Sequence, residues 1–181
     1  DWSSDVCSSD LTYTENVGLI AHRAFSLLNA DQTPACFWIT NPNNNFIGNH
    51  AVGGHSHGFW WDTPMHPMGP SATTAVHCRN QPVGTFDRNM AHSNGDSGYW
   101  FTEVDPTESG GPAGLDNPRR AYVMTNSVAW ANPVGVAFQG GTGHLKLEGW
   151  KFGSNMADAL TWINIKADRH WTPENTDAHV I

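Results

Sequence analysis

An imperfect repeat constrains the fold of this chain more than any other feature of its sequence. FIGNHAVGGHSHGFWW, residues 46–61, aligns without gaps on FDRNMAHSNGDSGYWF, residues 86–101, with a shift of 40 residues. VMTNSVAWANPVGVAF, residues 123–138, keeps the same spacing of nine residues from its asparagine to its glycine. KLEGWKFGSNMADALT, residues 146–161, is a weaker fourth copy with Asp158 at the glycine position. Each copy holds two short strands and no room for a helix, so it must bury its apolar face against neighbouring copies.

This pattern predicts an all-β fold, a right-handed parallel β-helix in which equivalent side chains of successive coils lie about 4.8 Å apart. Asparagine tolerates the left-handed backbone of a tight turn and forms hydrogen-bonded stacks, and glycine supplies backbone freedom. We therefore expect a ladder at one corner, formed by Asn49, Asn89 and Asn126. The glycine corner is expected at Gly58, Gly98 and Gly135. An aromatic column inside the helix is expected from Trp61, Phe101 and Phe138.

Two segments rich in proline and glycine interrupt the repeat at residues 62–84 and 102–120. We interpret them as long lateral loops that leave the same corner of successive coils. They account for the period of 40 residues, since the step from the third copy to the fourth is only 23. ENVGLIAHRAFSLLNADQTPACFWITNPNN is typical of a preceding coil, with strands expected at Val17 to Ile20 and Phe37 to Thr40.

The first eleven residues, DWSSDVCSSDL, have a different character from the rest. They lack the basic start and the apolar run of a secretory signal. Translated back into codons, they resemble a common short-read sequencing adapter. We therefore interpret residues 1–11 as a disordered, translated adapter, and we expect Asp1 to Asp10 to make no tertiary contacts. Residues 12–181 are then one β-helix fragment, truncated at both ends, of a larger protein.

Composition argues against several classes of protein. The net charge is −8, with 9 Lys and Arg against 17 Asp and Glu, which counts against nucleic acid as a partner. No apolar stretch approaches the roughly 20 residues that span a bilayer, so we expect no membrane contact by this segment itself. The 18 glycines and 11 prolines favour short strands and turns over helical bundles. Three cysteines do not make a disulfide scaffold.

Several segments carry a resemblance to a known family. LLNADQTPACFWITNPNNNFIGNHAVGG, GFWW, HPMGPS and VGTFDRNMAHSNG resemble the β-helix region of the fibrocystin-L type and, more distantly, of the cell migration-inducing hyaluronan-binding protein family. The resemblance covers nearly all of residues 16–162. It implies an extracellular or cell-surface location, and it marks no residue of this stretch as catalytic. Cys78 matches a family cysteine, whereas Cys36 and the GGHSH of residues 53–57 depart from the family pattern.

Exposed aromatic side chains are the best functional lead in the sequence, because an aromatic face can cover the apolar side of a sugar ring. Trp60 and Trp100 alternate with Trp61 and Phe101. If the latter pair fills the core, Trp60 and Trp100 face outward on one sheet. We therefore predict recognition of a glycan or matrix ligand by Trp60 and Trp100, unless the proline-rich loops cover both rings.

Two alternatives stay open beside recognition. His55 and His57 are spaced as side chains on one face of a strand and could bind zinc with a third ligand. Solvated surface histidines are the simpler interpretation, so no cofactor is predicted and neither calcium nor zinc has support. An enzyme acting on a polysaccharide such as hyaluronan needs paired carboxylates. No pair stands out by spacing among the candidates, Asp62, Asp87, Asp96 and Asp158, with Arg88 as a partner. Catalysis by this stretch is therefore the less favoured interpretation, and a spacer without a ligand is the third.

Overall fold

The computed structural model of the protein describes residues 9–25, 32–79, 81–102, 104, 122–139 and 145–163. Within them, short strands form three parallel sheets. Sheet A contains β1 (Thr12–Thr14), β4 (Asn45–Ile47), β7 (Phe86–Asp87), β10 (Tyr122–Thr125) and β13 (Leu145–Glu148). Sheet B contains β2 (Val17–Leu19), β5 (His50–Val52), β8 (Met90–His92), β11 (Val128–Trp130) and β14 (Lys151–Gly153). Sheet C contains β3 (Ala35–Ile39), β6 (His57–Asp62), β9 (Ser97–Thr102), β12 (Val134–Gln139) and β15 (Asp158–Ile163).

Each coil contributes one strand to each sheet in the order A, B, C, and each strand pairs in parallel with its equivalents in neighbouring coils. The predicted parallel β-helix is confirmed. Strands β2 and β3 form the preceding coil that the sequence suggested ahead of the repeat. Within the described residues, no helix has the length and apolar character needed to cross a membrane.

The core is a set of stacked columns. Trp61, Phe101 and Phe138 are nearly or fully buried, and the rings of Phe101 and Phe138 stack with centroids 5.3 Å apart. A second column runs through Phe59 and Tyr99, whose rings are 5.0 Å apart and nearly parallel. Burying one such side chain contributes about 1.5–3 kcal/mol. The stacking of like residues therefore holds neighbouring coils in register.

A ladder of polar side chains lines the corner between sheets A and B. The side-chain oxygen of Asn49 accepts hydrogen bonds from the backbone N–H and the side-chain amide of Asn16, both at 3.0 Å. Asn89 accepts equivalent bonds from Asn49 at 3.0 and 3.1 Å. The amide of Asn89 also donates to the carbonyl of Phe46 at 2.8 Å. The next rung is Ser127, whose hydroxyl accepts from the N–H of Asn89 at 3.2 Å.

Asn126, predicted as a rung of this ladder, lies one residue before it. Its φ is 51°, and it belongs to a column of left-handed residues, Glu15, Gly48, Arg88, Asn126 and Gly149. The slip has a local cause. Met90 pairs with Val128, an offset of 38 residues, whereas Ser97 pairs with Val134, an offset of 37. The corner around Pro133 is one residue shorter than its equivalent, so an ungapped alignment fits only one side of it.

A second ladder occupies the corner between sheets B and C and was not predicted. The side-chain oxygen of Asn132 accepts from the backbone and the amide of Asn94 at 3.1 and 3.0 Å. Asn155 accepts from the N–H of Asn132 at 3.2 Å, and Asn94 accepts from that of Gly54 at 3.0 Å. This ladder could have been predicted from the sequence, because Asn94, Asn132 and Asn155 each come two residues after a sheet B strand.

Gly58, Gly98 and Gly135 form a column, but at the second residue of β6, β9 and β12, so their expected place at a corner was wrong. An ideal Cβ on Gly58 would lie 2.5 Å from the carbonyl oxygen of Gly98, and one on Gly135 equally close to that of Ala159. None of these glycines has a positive φ. Glycine is required here because the backbone of the next coil approaches too closely for a side chain. The equivalent residue in β15 is Ala159, because Asp158 pairs with Val134. The alignment of Asp158 with these glycines was wrong by one residue, for the reason given for Asn126.

The N-terminal segment is described from residue 9 onward. The N–H of Asp10 donates to the carbonyl of Asn43 at 2.8 Å, and the N–H of Leu11 to the side chain of Asn44 at 2.9 Å. The carboxylate of Asp10 also accepts from the amide of Asn43 at 3.3 Å. The expected lack of tertiary contacts is therefore wrong for Asp10, and the expected disorder is wrong for both residues. The adapter origin concerns the nucleotide sequence and stays a prediction. Residues 1–8 lie outside the described residues.

The lateral loop after β6 contains one short 3-10 turn at Gly69–Ser71. It also carries Cys78, which is buried and disulfide-bonded, whereas Cys36 is a free thiol. The second lateral loop, at residues 102–120, lies almost entirely outside the described residues.

Candidate functional site

The outer face of sheet C carries a column of tryptophans. Trp38, Trp60 and Trp100 are in register on β3, β6 and β9, and all three are half-buried. Trp61 and Phe101 beside them are fully buried. Trp60 and Trp100 therefore lie on the outward side of the strands, as the period-two pattern indicates.

The tryptophan rings of this column contact one another. Trp38 and Trp60 stack with centroids 4.8 Å apart and planes 7° from parallel, and Trp60 lies 6.1 Å from Trp100. The indole N–H of Trp60 donates to the hydroxyl of Thr102 at 3.2 Å. A sugar platform needs a free ring face, and Trp38 takes up one face of Trp60. Trp100 is tilted by 33° from Trp60, and its register partner in the next coil is Ala137. The role of Trp60 and Trp100 as a glycan platform stays a prediction.

His57 packs into the same face. Its ring stands at 89° to that of Trp100 with centroids 4.0 Å apart. Its Nδ1 lies 2.8 Å from the hydroxyl of Ser97 and 3.9 Å from a carboxylate oxygen of Asp96. Its Nε2 is buried without a hydrogen-bond partner among the described residues. Burial, followed by the charge of Arg23, lowers the pKa of His57 to about 3, so the ring is neutral.

His55 does not join His57. It is exposed in the turn before β6, and its Nε2 lies 3.0 Å from Nδ1 of His22 in the preceding coil. The predicted sharing of a metal by His55 and His57 is wrong, because strand alternation does not extend into the turn. Among the described residues, no group of three or more His, Cys, Asp or Glu side chains is arranged to hold a metal ion.

The outer face of sheet B is more open. Its strands read VGL, HAV, MAH, VAW and KFG, and none contains a carboxylate. The middle residues of β5, β8 and β11 are fully buried alanines. The residues on either side of them therefore point outward. One outward column holds Val17, His50, Met90, Val128 and Lys151, and the other holds Leu19, Val52, His92, Trp130 and Gly153.

Trp130 offers a free ring face within the second column. On one side it stacks on His92, with centroids 4.2 Å apart and planes 18° from parallel. On the other side, its register partner is Gly153, which has no side chain to cover the ring. A Cβ built on Gly153 would meet a single heavy atom within 4 Å, the Cβ of Trp130 at 3.9 Å. Trp130 is 39% exposed, which fits an indole with one face covered and one face open.

A groove of about 370 Å³ adjoins this face at the corner between sheets A and B, lined by Glu15, Val17, Gly48, His50 and Arg88. Gly48 has a φ of +66° and leaves a gap between Glu15 and Arg88, which precede and follow it in the same column. Arg88 is held by a bond of 2.8 Å from its Nε to Asp87. Val17 and His50 belong to both surfaces, so the groove and the sheet B face are continuous.

Comparison of the sequence with known protein families identifies the family of this β-helix. Residues 9–99, just over half of the chain, match the family model described as the CEMIP beta-helix. The chain belongs to the CEMIP beta-helix family. The match covers the first three coils to Tyr99, so Trp130 and Gly153 lie beyond it.

Several curated proteins are similar to this family member. Fibrocystin-L of Mus musculus is 43% identical over 96 residues, which is 52% of this chain and 2% of that protein. Cell surface hyaluronidase CEMIP2 of Homo sapiens is 32% identical over 104 residues, 54% of this chain and 7% of that protein. Communication mutant protein F of Dictyostelium discoideum is 39% identical over 74 residues, 41% of this chain and 6% of that protein. The chain therefore spans less than a tenth of each of these relatives.

The candidate carboxylates of this CEMIP-type helix are dispersed. Asp87 accepts hydrogen bonds from Thr125 at 2.6 Å and from Asn126 at 2.9 Å, and the Thr125 hydroxyl chiefly lowers the pKa of that carboxyl. Asp62 ends β6 and Asp158 begins β15, three coils later, which places them on the order of 14 Å apart along the stack. Asp96 lies beside His57. Asp62 and Asp158 are therefore far apart, and Asp87 and Asp96 are each engaged with other side chains.

Trp130 was missed by sequence reasoning because it lies outside the repeated aromatic triplets. A signal for it existed in the alternation of VAW. Its alanine aligns with Ala51 and Ala91 of the other copies, which places the tryptophan on the outer face. The open space beside the ring could be recognised only after Gly153 was aligned with Trp130.

Proposed function

We propose that the chain is part of an extracellular or cell-surface protein and recognises a glycan or matrix ligand through the outer face of sheet B. The observation that carries the proposal is the free face of Trp130 over Gly153. An indole face held rigidly from behind by His92 can cover the apolar side of a sugar ring without further ordering.

The surroundings of Trp130 favour an acidic glycan over a neutral one. Lys151 is exposed on the neighbouring strand. His50 and Arg88 border the adjoining groove, where Glu15 also lies and Arg88 pairs with Asp87. The cationic character near the ring therefore rests mainly on Lys151. The sheet B strands contribute no carboxylate that would repel such a ligand. The names of two relatives, a cell surface hyaluronidase and a cell migration-inducing and hyaluronan-binding protein, support the same class of ligand.

We expect weak affinity for a single site. One stacked ring and one or two charged contacts contribute about 1 kcal/mol each, which corresponds to a dissociation constant of about 6–35 mM. Several such sites in a longer protein, bound to one polymer, would raise the apparent affinity.

The test is a titration with hyaluronan oligosaccharides and a neutral oligosaccharide of equal length. Trp130→Ala is expected to abolish binding. Gly153→Val is expected to weaken binding at least fivefold while keeping the tryptophan, because its side chain covers the free face. Trp60→Ala and Trp100→Ala are the matched controls on sheet C and are expected to bind normally. Loss of binding in the sheet C variants, with Trp130→Ala unaffected, would overturn the proposal, and so would absence of binding by the unmodified protein.

A further inference from the structure

The lateral loop after β6 brings His66, on its outgoing arm, next to His77, on its returning arm. The N–H of Cys78 donates to the carbonyl of Met65, and the N–H of Arg79 to that of Pro64, both at 3.1 Å. These bonds join the outgoing and returning arms of the loop. As a result, the rings of His66 and His77 lie with centroids 4.4 Å apart and planes at 62°.

The hydrogen bonds of His66 define which ring nitrogen is free. Its Nδ1 lies 2.9 Å from the carbonyl oxygen of Val76. A carbonyl can only accept, so Nδ1 carries the proton and Nε2 of the neutral ring holds an unprotonated lone pair. Histidines that bind metals are usually oriented in this way, with the second nitrogen donating to a carbonyl or carboxylate.

His77 also has ring nitrogens that could bind a metal ion. Its carbonyl accepts from the side chain of Gln81 at 3.0 Å, which anchors its backbone. Within the part of the chain that the structure describes, neither ring nitrogen of His77 makes a hydrogen bond. Both histidines are half-exposed, so an ion can reach them from solvent.

Two thioethers flank His66 in the sequence Met65-His66-Pro67-Met68. Met65 is 47% exposed and Met68 is 53% exposed, whereas Pro67 between them is buried. Both thioethers are accessible to solvent, and both lie within two residues of His66 in the sequence. Thioether and imidazole donors together are the set that selects copper(I) over harder ions.

We propose that this loop binds a copper(I) ion through His66 Nε2 and a ring nitrogen of His77, with the sulfurs of Met65 and Met68 completing the ligand set. The site lies on the lateral loop and shares no residue with the Trp130 face. It is therefore independent of the proposed glycan recognition and goes beyond it.

The test uses the full chain carrying Cys36→Ser, because a free thiol would itself bind copper(I). The protein is titrated with copper(I) against a chromophoric chelator in the presence of ascorbate, which leaves the disulfide intact. One copper(I) per chain is expected. His66→Ala and His77→Ala are each expected to weaken binding at least tenfold. Met65→Leu combined with Met68→Leu is expected to weaken copper(I) at least tenfold and to leave zinc(II) binding unchanged.

Two variants serve as matched controls for loss of a histidine or a methionine elsewhere, His22→Ala and Met156→Leu. Both are expected to bind copper(I) normally. Equal losses in the controls would overturn the proposal, as would binding that survives both histidine variants. Copper(I) binding that needs the histidines and is unchanged in the double methionine variant would overturn the assignment of the two sulfurs as ligands. Circular dichroism of each variant verifies that the helix is intact.

Discussion

The indole of Trp130 lies almost flat on the imidazole of His92 in the preceding coil, with ring centroids 4.2 Å apart. This contact fixes the orientation of the indole and partly shields the histidine from water. Burial, followed by the nearby His50, lowers the pKa of His92 below its ordinary value of 6.5.

Trp130→Ala is expected to raise the pKa of His92 toward 6.5, because the ring that covers it is removed. An NMR titration of the histidine ring protons measures this pKa in both proteins. A wild-type pKa above 6.5 that falls in the variant would contradict the account. It would mean that the indole stabilises the charged imidazolium by a cation–π contact.

The asparagine ladder gives a prediction that separates a rung from a turn residue. Asn89→Ala should lower the free energy of unfolding by about 1–3 kcal/mol, because it leaves the buried N–H of Asn49 and the carbonyl of Phe46 unpaired. Asn126→Gly should change it by less than about 1 kcal/mol, because glycine adopts the left-handed φ of 51° without strain. Denaturant unfolding measures both. A larger loss for Asn126→Gly than for Asn89→Ala would return Asn126 to the ladder.

His57 predicts a loss of stability in mild acid. Its pKa is about 3 in the folded protein and 6.5 as a free side chain. Below pH 6.5 the unfolded chain therefore binds a proton that the folded chain does not. The free energy of unfolding should therefore decrease as the pH is lowered, by about 1.4 kcal/mol for each pH unit well below 6.5. Two charged groups act on His57. Arg23 lowers its pKa, and Asp96, whose own pKa is raised mainly by burial, acts in the opposite sense as it is protonated at lower pH.

Between pH 6.5 and 5, the lowered pKa of His92 acts in the same direction as that of His57, so a variant is needed to separate the two. His57→Leu should make the pH dependence of the melting temperature less steep across this window, relative to the wild type. An equally steep dependence in the variant would show that another group dominates.

The glycine column predicts a contrast between two strand glycines. Gly98→Ala places a Cβ 2.8 Å from the carbonyl oxygen of Gly135 and 2.9 Å from the amide of Asn132, so coils must move apart. We expect a loss of about 2 kcal/mol in the free energy of unfolding. Gly153→Ala enters open space and should change stability by less than about 0.5 kcal/mol. Similar losses for both variants would show that the close approach at Gly98 is relieved easily.

The fold was predictable from the sequence because the same residue types recur at the same positions of each repeat. Asparagine, glycine and aromatic residues recur where corners and core need them, and most of the register followed. Asn126 and Asp158 were misplaced by one residue because one coil has a shorter corner at Pro133. A change in corner length alters the alignment by one position and leaves the strand pattern intact, so only hydrogen bonds reveal it.

The candidate site was less predictable, since it depends on what lies beside each ring in space. Alternation placed Trp60 and Trp100 on the outer face correctly. It could not show that Trp38 stacks on Trp60 and takes up its face. The value of Trp130 comes in turn from Gly153, 23 residues later in the sequence.

The most direct test of the recognition surface is the indole N–H region of an NMR spectrum during titration with a hyaluronan oligosaccharide. The chain contains nine tryptophans, each with its own indole signal. The account predicts that the signal of Trp130 shifts progressively and saturates, together with the backbone signals of Lys151 and Gly153, while those of Trp60 and Trp100 stay in place. Shifts of Trp60 or Trp100 with an unmoved Trp130 would contradict it and place the ligand on sheet C.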